Sequence, residues 1–208
     1  MAKEKSGLSY PNKMARIYLT AIEEMIGAEA MRTVLELANL PPLTKSYPPD
    51  NMSRNFDFAD FSAVGAALET MYGLRGERGL GLHAGRASFT QGLGEFGSVT
   101  GVTELASKAI SAQTKVKIGL KGMAEAFNRF SDQQTSVVEA DDYFIYTIHL
   151  CPICWGRTSP RPVCYVGAGL ILAGLQWLSK GQDFEITEVA CRAMGDEACV
   201  FHIRKEPV

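Results

Sequence analysis

The sequence predicts an α+β domain with N-terminal helices, long amphipathic helices packed on a mainly antiparallel sheet, and a C-terminal β-hairpin. Three observations carry that prediction. Apolar residues recur every three or four positions up to Phe130, the signature of helices that bury one face. β-Branched and aromatic residues concentrate after it, in "TSVVEADDYFIYTIHL" and the C-terminal "EACVFHIRK", as strands require. Helices precede strands instead of alternating with them, which favours an antiparallel sheet over βαβ units.

The elements follow in chain order. "PNKMARIYLTAIEEMIGAEAMRTVLELANLPP" carries a stripe of Met14, Ile17, Ala21 and Met25, then Met31, Val34, Leu35 and Ala38. It reads as two helices broken near Gly27 and stopped by Pro41 and Pro42. Leu43 to Phe56 reads as a loop. Residues 1–50 then form an N-terminal helical segment, expected to mediate dimerisation because helices this short are marginal alone, and residues 51–208 form the main domain. "DFADFSAVGAALETMYG" is a helix capped by Asp57 and stopped at Gly73, with a second helix expected from Glu77 to Gly92. One long amphipathic helix is expected over 103–130 and a strand over 135–149. Pro162 opens an apolar helix ending at Leu178. A terminal hairpin turns around Gly195 and sets Cys191 opposite Cys199.

Composition limits the function. The 208 residues carry a net charge of −2 with a pI near 6.0, so no dominant basic face for nucleic acid is expected. The longest apolar stretch, about 14 residues, is short of the roughly 20 that span a bilayer, and no signal-peptide pattern opens the chain. A cytoplasmic protein with reduced thiols is the expectation, and five cysteines, an odd number, argue against a disulfide framework.

Clustered cysteines in that setting point to metal. Facing thiolates at 191 and 199 make half of a tetrahedral zinc site, with Cys164 and the "CPIC" pair Cys151 and Cys154 as candidates for the rest. Glu188 joins them only if a bulge or strand end turns it to the same face, since an odd separation in a strand reverses direction. Buried structural cysteines are the plain alternative. "GERGLGLHAG" is one residue off a dinucleotide fingerprint and lacks the preceding strand, so its glycines serve helix packing. His83, His149 and His202 are scattered and read as surface or satisfied side chains.

"DDYFIYTIHL", "PVCYVGAGLILAG" and "EVACRAMGDEACVFHI" resemble the 4-vinyl reductase domain family, which includes bacteriochlorophyll-linked proteins and the sensor domains of phenol- and xylene-responsive activators. The resemblance is close over 140–203 and looser elsewhere. It implies a fold related to the TRAPP trafficking subunits, a small-ligand pocket, often a homodimer, and a structural zinc held by Cys164, Glu188, Cys191 and Cys199. "CPIC" marks the pigment-linked branch, so Cys151 or Cys154 stands as an alternative to Glu188. The position of the phenol-contacting tryptophan is Ala140 here, a departure that sets phenol itself apart from the expected ligands.

The expected function is a binding domain for a small hydrophobic or aromatic molecule, hydrocarbon or tetrapyrrole-like. Phe127, Tyr143, Phe144 and Tyr146 are candidate lining residues, of which strand alternation excludes at least one, with Phe89 and Phe96 on neighbouring elements. A reductase of a vinyl group on a chlorophyll precursor is the enzymatic alternative, although no nicotinamide or flavin fingerprint is visible. A scaffold that assembles through its helices is the third.

Overall fold

The computed structural model describes residues 4–100, 105 and 108–208, of which 95–100 in backbone only. β1 (Ser9–Pro11) leads into α1 (Asn12–Ile26) and α2 (Ala28–Leu37). β2 (Arg54–Asp57) pairs antiparallel with β1, then α3 (Phe58–Thr100) and α4 (Ala112–Phe130) follow. The second sheet holds β3 (Thr135–Glu139), β4 (Tyr143–Ile148), β5 (Ile186–Ala190) and β6 (Cys199–Arg204) in the order β3-β4-β6-β5, every pairing antiparallel. α5 (Tyr165–Ser179) crosses between β4 and β5. The α+β class with a C-terminal hairpin is what the residue pattern predicted. Among the described residues no helix is long and apolar enough to cross a membrane.

Local chemistry explains the boundaries. Gly27 has φ 81° and breaks α1 from α2, since a side chain there would be strained. Asp57 Oδ1 accepts the Ala59 N–H at 2.7 Å, satisfying one of the orphan donors at the start of α3. Gly73 (φ 67°) is a kink inside α3, which resumes at once instead of at Glu77 and continues past Gly92. The long helix expected from 103 starts at Ala112, where the Ser111 side chain accepts the Thr114 N–H; positions 103, 104, 106 and 107 lie outside the described residues. The expected strand over 135–149 is a hairpin, because Ala140, Asp141 and Asp142 turn the chain and the Ala140 N–H bonds the Tyr143 carbonyl at 2.9 Å.

The N-terminal stripe is rotated from its predicted position. Ala15, Tyr18, Leu19 and Ile22 face inward while Met25 is 47% exposed. In α2 the expected Met31, Val34 and Leu35 are buried. These residues share one apolar cluster with Phe58, Leu120, Phe144, Leu175 and Phe201, so both helices contribute to the same core as the sheet.

Glycines permit the closest helix crossing. A Cβ on Gly85 would lie 2.1 Å from the Val166 carbonyl oxygen, and one on Gly169 would lie 2.2 Å from that of Leu82. Both contacts are with backbone, so α3 and α5 approach at a distance only glycine allows. The glycine-rich "GERGLGLHAG" is thus a packing motif, as its sequence context indicated.

Candidate functional site: an apolar cavity beside a cysteine cluster

Two buried features lie on either side of α5. The first is a cavity of about 160 Å³. Its walls come from Tyr10, Met14 and Tyr18 at the N-terminus, Phe61 and Phe89 of α3, Met123 and Phe127 of α4, Tyr146 and Ile148 of β4, and Val166, Leu170 and Ile171 of α5. No charged side chain lines it. Small residues on α5 set its floor: a Cβ on Gly174 would meet Met123 Cε at 2.8 Å and Phe89 Cε2 at 3.2 Å.

The aromatic walls are locked to one another. Tyr18 stacks on Phe61 with ring centroids 4.1 Å apart, and the Tyr10 ring sits 5.4 Å from Phe61 and 6.1 Å from Phe127. Such pairs stabilise by about 1 kcal/mol beyond their buried area. One edge is polar, because the Tyr10 hydroxyl donates to Gln133 Oε1 and Gln133 Nε2 donates to Thr135 Oγ1 at 2.8 Å. Burial pushes the Tyr10 and Tyr146 phenols well above their ordinary range, so both remain neutral donors.

Of the predicted lining residues, Phe127 and Tyr146 line the cavity, as does Phe89. Phe144 points to the same side of β4 as Tyr146 and is fully buried, but it lies one step along the strand, with the Lys205 ammonium 5.5 Å from its ring centre. Tyr143 faces the other way, its ring 5.3 Å from His202 and under Arg204. Alternation in β4 enforces that split. The side chain of Phe96 lies outside the described residues, and Ala140, in the β3–β4 turn, is not a lining residue. Tyr10, Tyr18 and Phe61 were missed by sequence reasoning. Their signal was the aromatic content at the start of the first and third helices, which only the packing of α1 on α3 joins to the rest.

The second feature is the cysteine cluster, and the loop that supplies part of it is firmly held. Arg157, with its side chain 5% exposed, bridges Glu69 and Glu77 of α3 at 2.6 Å each. The Trp155 ring packs against Phe58, and the Ser159 N–H bonds the Ala193 carbonyl at 2.8 Å. Cys151 and Cys154 enter from this loop, Cys164 from the residue before α5, Cys191 from the end of β5 and Cys199 from the start of β6. All five are buried and none forms a disulfide.

Their sulfurs stand at metal-ligand spacing. Sγ–Sγ distances are 3.5 Å for Cys151–Cys164, 3.4 Å for Cys154–Cys199, 3.5 Å for Cys164–Cys199, 3.8 Å for Cys164–Cys191 and 4.0 Å for Cys191–Cys199. Thiolates about 2.3 Å from a tetrahedral zinc lie about 3.8 Å from each other. Two sets of four donors satisfy this spacing: Cys151, Cys154, Cys164 and Cys199; and Cys164, Glu188, Cys191 and Cys199.

Glu188 reaches the cluster through the irregularity its position demanded. The β5–β6 register shifts between Glu188 and Ala190, and this bulge turns the carboxylate to the side of Cys191. Glu188 Oε2 accepts the Cys164 N–H at 3.0 Å, while Oε1 is buried with no hydrogen-bond partner. Burial, reinforced by neighbouring Cys191, raises its pKa to about 9. An ion beside it would reverse that cost, since a ligating carboxylate must be ionised. Around the turn, the Cys191 N–H donates to Asp196 Oδ2 at 2.8 Å and the Arg192 N–H to Cys199 Sγ at 3.5 Å. The four buried cysteines of the first set can hold a metal ion, and a closed shell of protein donors leaves no position for substrate.

Comparison with known proteins places this arrangement. Solved structures of H-NOX proteins share the fold: one from K. algicida, in the Fe(II) unliganded state, covers 95% of this chain and 97% of its own with TM-score 0.59 and 13% identity. Another, from S. oneidensis in the Fe(II)NO state, covers 90% and 97% with TM-score 0.54 and 14% identity. The phenol-responsive sensory domain of the transcription activator PoxR, solved with phenol, covers 69% of this chain and 73% of its own with TM-score 0.51 and 14% identity. Among curated sequences, uncharacterized protein MJ0745 of Methanocaldococcus jannaschii is 29% identical over 69 residues, 33% of this chain and 38% of that protein. The match thus spans well under half of that relative's length. All six donor residues of the cluster fall within one matched segment, residues 144–205, and that segment is a 4-vinyl reductase domain, the family the sequence resembled.

Proposed function

We propose that the chain binds a small apolar or aromatic molecule of about one ring and reports its occupancy, with a structural zinc fixing the cysteine cluster. The fold and the PoxR neighbour support small-molecule sensing or binding as the general role. The observation that carries the finer reading is the cavity of about 160 Å³ with no charged lining residue. A cavity of about 150 Å³ lined by apolar side chains accepts benzene, so the space suits one ring and falls short of a tetrapyrrole. The Tyr10–Gln133–Thr135 chain offers a polar edge to a hydroxyl-bearing ligand.

Heme, carried by H-NOX relatives described for its distortion, does not fit these residues. No histidine, lysine or arginine lines the cavity. His83 and His149 are exposed, and His202 lies beside Tyr143 on the opposite side of the sheet from Tyr146. Zinc, by contrast, suits a set of soft thiolates with a carboxylate, and Cys164, Glu188, Cys191 and Cys199 are its proposed ligands. A cytoplasmic homodimer completes the proposal, with exposed Met25 and Leu37 as the apolar contacts that α1 and α2 leave for it.

The test is a thermal melt with a graded series of benzene, phenol, xylenes and larger polycyclic aromatics. A ligand that binds only the folded state raises the Tm with concentration. One-ring compounds should raise it and polycyclics should not. A flat response across the series overturns the binding role.

A further inference from the structure

The six donor residues exceed what one ion can use. A single tetrahedral zinc takes four ligands. Filling it with Cys164, Glu188, Cys191 and Cys199 leaves the Cys151 and Cys154 thiols buried beside it; filling it with Cys151, Cys154, Cys164 and Cys199 leaves Glu188 Oε1 buried and without a partner. Either choice strands donors in a closed interior, where an unsatisfied polar group costs about 1–3 kcal/mol and a charge costs more.

The two sets have a shared edge. Cys164 and Cys199 belong to both, and their sulfurs are 3.5 Å apart. Cys151 and Cys154 complete one tetrahedron, and Cys191 and Glu188 the other. We propose that the cluster holds two zinc-class divalent ions bridged by the thiolates of Cys164 and Cys199, one closed by Cys151 and Cys154 and the other by Glu188 and Cys191. This deepens the zinc reading above and rests on it.

Charge and donor chemistry favour this arrangement. Five thiolates and one carboxylate carry six negative charges; two divalent ions leave a net of two, the same as one ion with four anionic ligands, while satisfying every donor. Glu188 Oε1 gains the partner it lacks. The carboxylate is a hard donor that suits zinc and not copper(I), which prefers thiolates alone. Iron–sulfur clusters hold their cysteine sulfurs apart around inorganic sulfide, whereas these sulfurs touch at 3.4–4.0 Å. No redox change enters: each ion binds as the thiols and the carboxyl release their protons.

The structure also fixes the roles. Bridging Cys164 heads α5, and bridging Cys199 begins β6, so the centre ties the helix that floors the cavity to the sheet that walls it.

Native mass spectrometry and elemental analysis of protein purified from zinc-supplemented cells should give two zinc ions per chain. E188Q and C151S should each retain one, and C164S none. Where a variant fails to fold, the wild-type protein decides. Loaded with ¹¹³Cd, it should show two resonances, one from an all-sulfur site and one from a site of three sulfurs and oxygen, coupled through the bridging thiolates. One zinc per chain with a single cadmium resonance overturns the paired centre and leaves the single-zinc reading standing. No metal overturns both.

Discussion

The cavity and the cysteine cluster are both buried and both contact α5, yet they are built in opposite ways. The cavity is a space kept open by large, mutually stacked rings and by glycines on α5, with no charge in its walls. The cluster has no space beyond that of an ion, and is made of short side chains delivered by four separate pieces of chain. The difference teaches how the parts divide stability and function. Apolar walls around a void forgo packing energy, at roughly 24 cal/mol per Å³ of cavity, so an occupant is rewarded by contacts the empty protein lacks. A closed metal shell leaves nothing for a ligand to gain and instead holds the C-terminal hairpin to the loop and helix.

The contrast breaks most severely at the metal. Replacing Cys164 with Ser, or stripping metal with a strong chelator, should destabilise the chain by at least about 4 kcal/mol, because metal binding energy is folding energy here. Calorimetry with and without chelator reads the loss. A melt unmoved by chelator would make the cysteines ordinary core residues.

Next comes the helix crossing that both regions share. Gly169→Ala puts a Cβ 2.2 Å from the Leu82 carbonyl oxygen, an overlap with backbone that requires α3 and α5 to separate. A cost of about 3 kcal/mol is expected in urea denaturation. An unchanged midpoint would mean the crossing is looser than described.

The cavity should respond in the opposite sense. Ala126→Leu adds three carbons to its lining, so the aromatic-induced rise in Tm should vanish while the unliganded stability changes by less than about 1.5 kcal/mol. Retained ligand response with lost stability would show that the void is structural packing and not a binding site.

Smallest is the acid limb at the Asp57 cap, remote from both regions. Its partial burial raises the pKa, but N–H donors of Ser6, Ala59 and Gly7 and the Ser6 hydroxyl outweigh this and hold it below the ordinary value. A lowered native pKa adds stability above the unfolded value of about 3.9 and loses it as the pH falls through the native one. Asp57→Asn should therefore cost about 1 kcal/mol at neutral pH, with the gap closing in acid. A pH series of melts on both proteins measures it.

Sequence by itself determined the element types and much of the cluster. Gly27, Asp57 and Gly73 marked helix breaks and starts because backbone conformation and capping are local. The α+β class followed from periodicity, and the pairing of Cys191 with Cys199 followed from the turn at Gly195, since hairpin register is set over a few residues. The requirement that Glu188 needs a bulge was legible too, as strand alternation is a fixed rule. What only the tertiary structure decided was which faces meet. The inward side of α1 carries Tyr18 and Ile22 instead of Met25, and its aromatics wall the cavity. Neither is visible in one helix's periodicity, because α3, α4 and α5 supply the opposing surface. The split of Tyr143 from Phe127 and Tyr146 awaited the placement of β4 between β3 and β6. The convergence of Cys151 and Cys154 on the hairpin awaited the Arg157 clamp to α3, a contact spanning 80 and 88 residues. Loop geometry of that kind is set by long-range partners, and a local pattern carries no record of them.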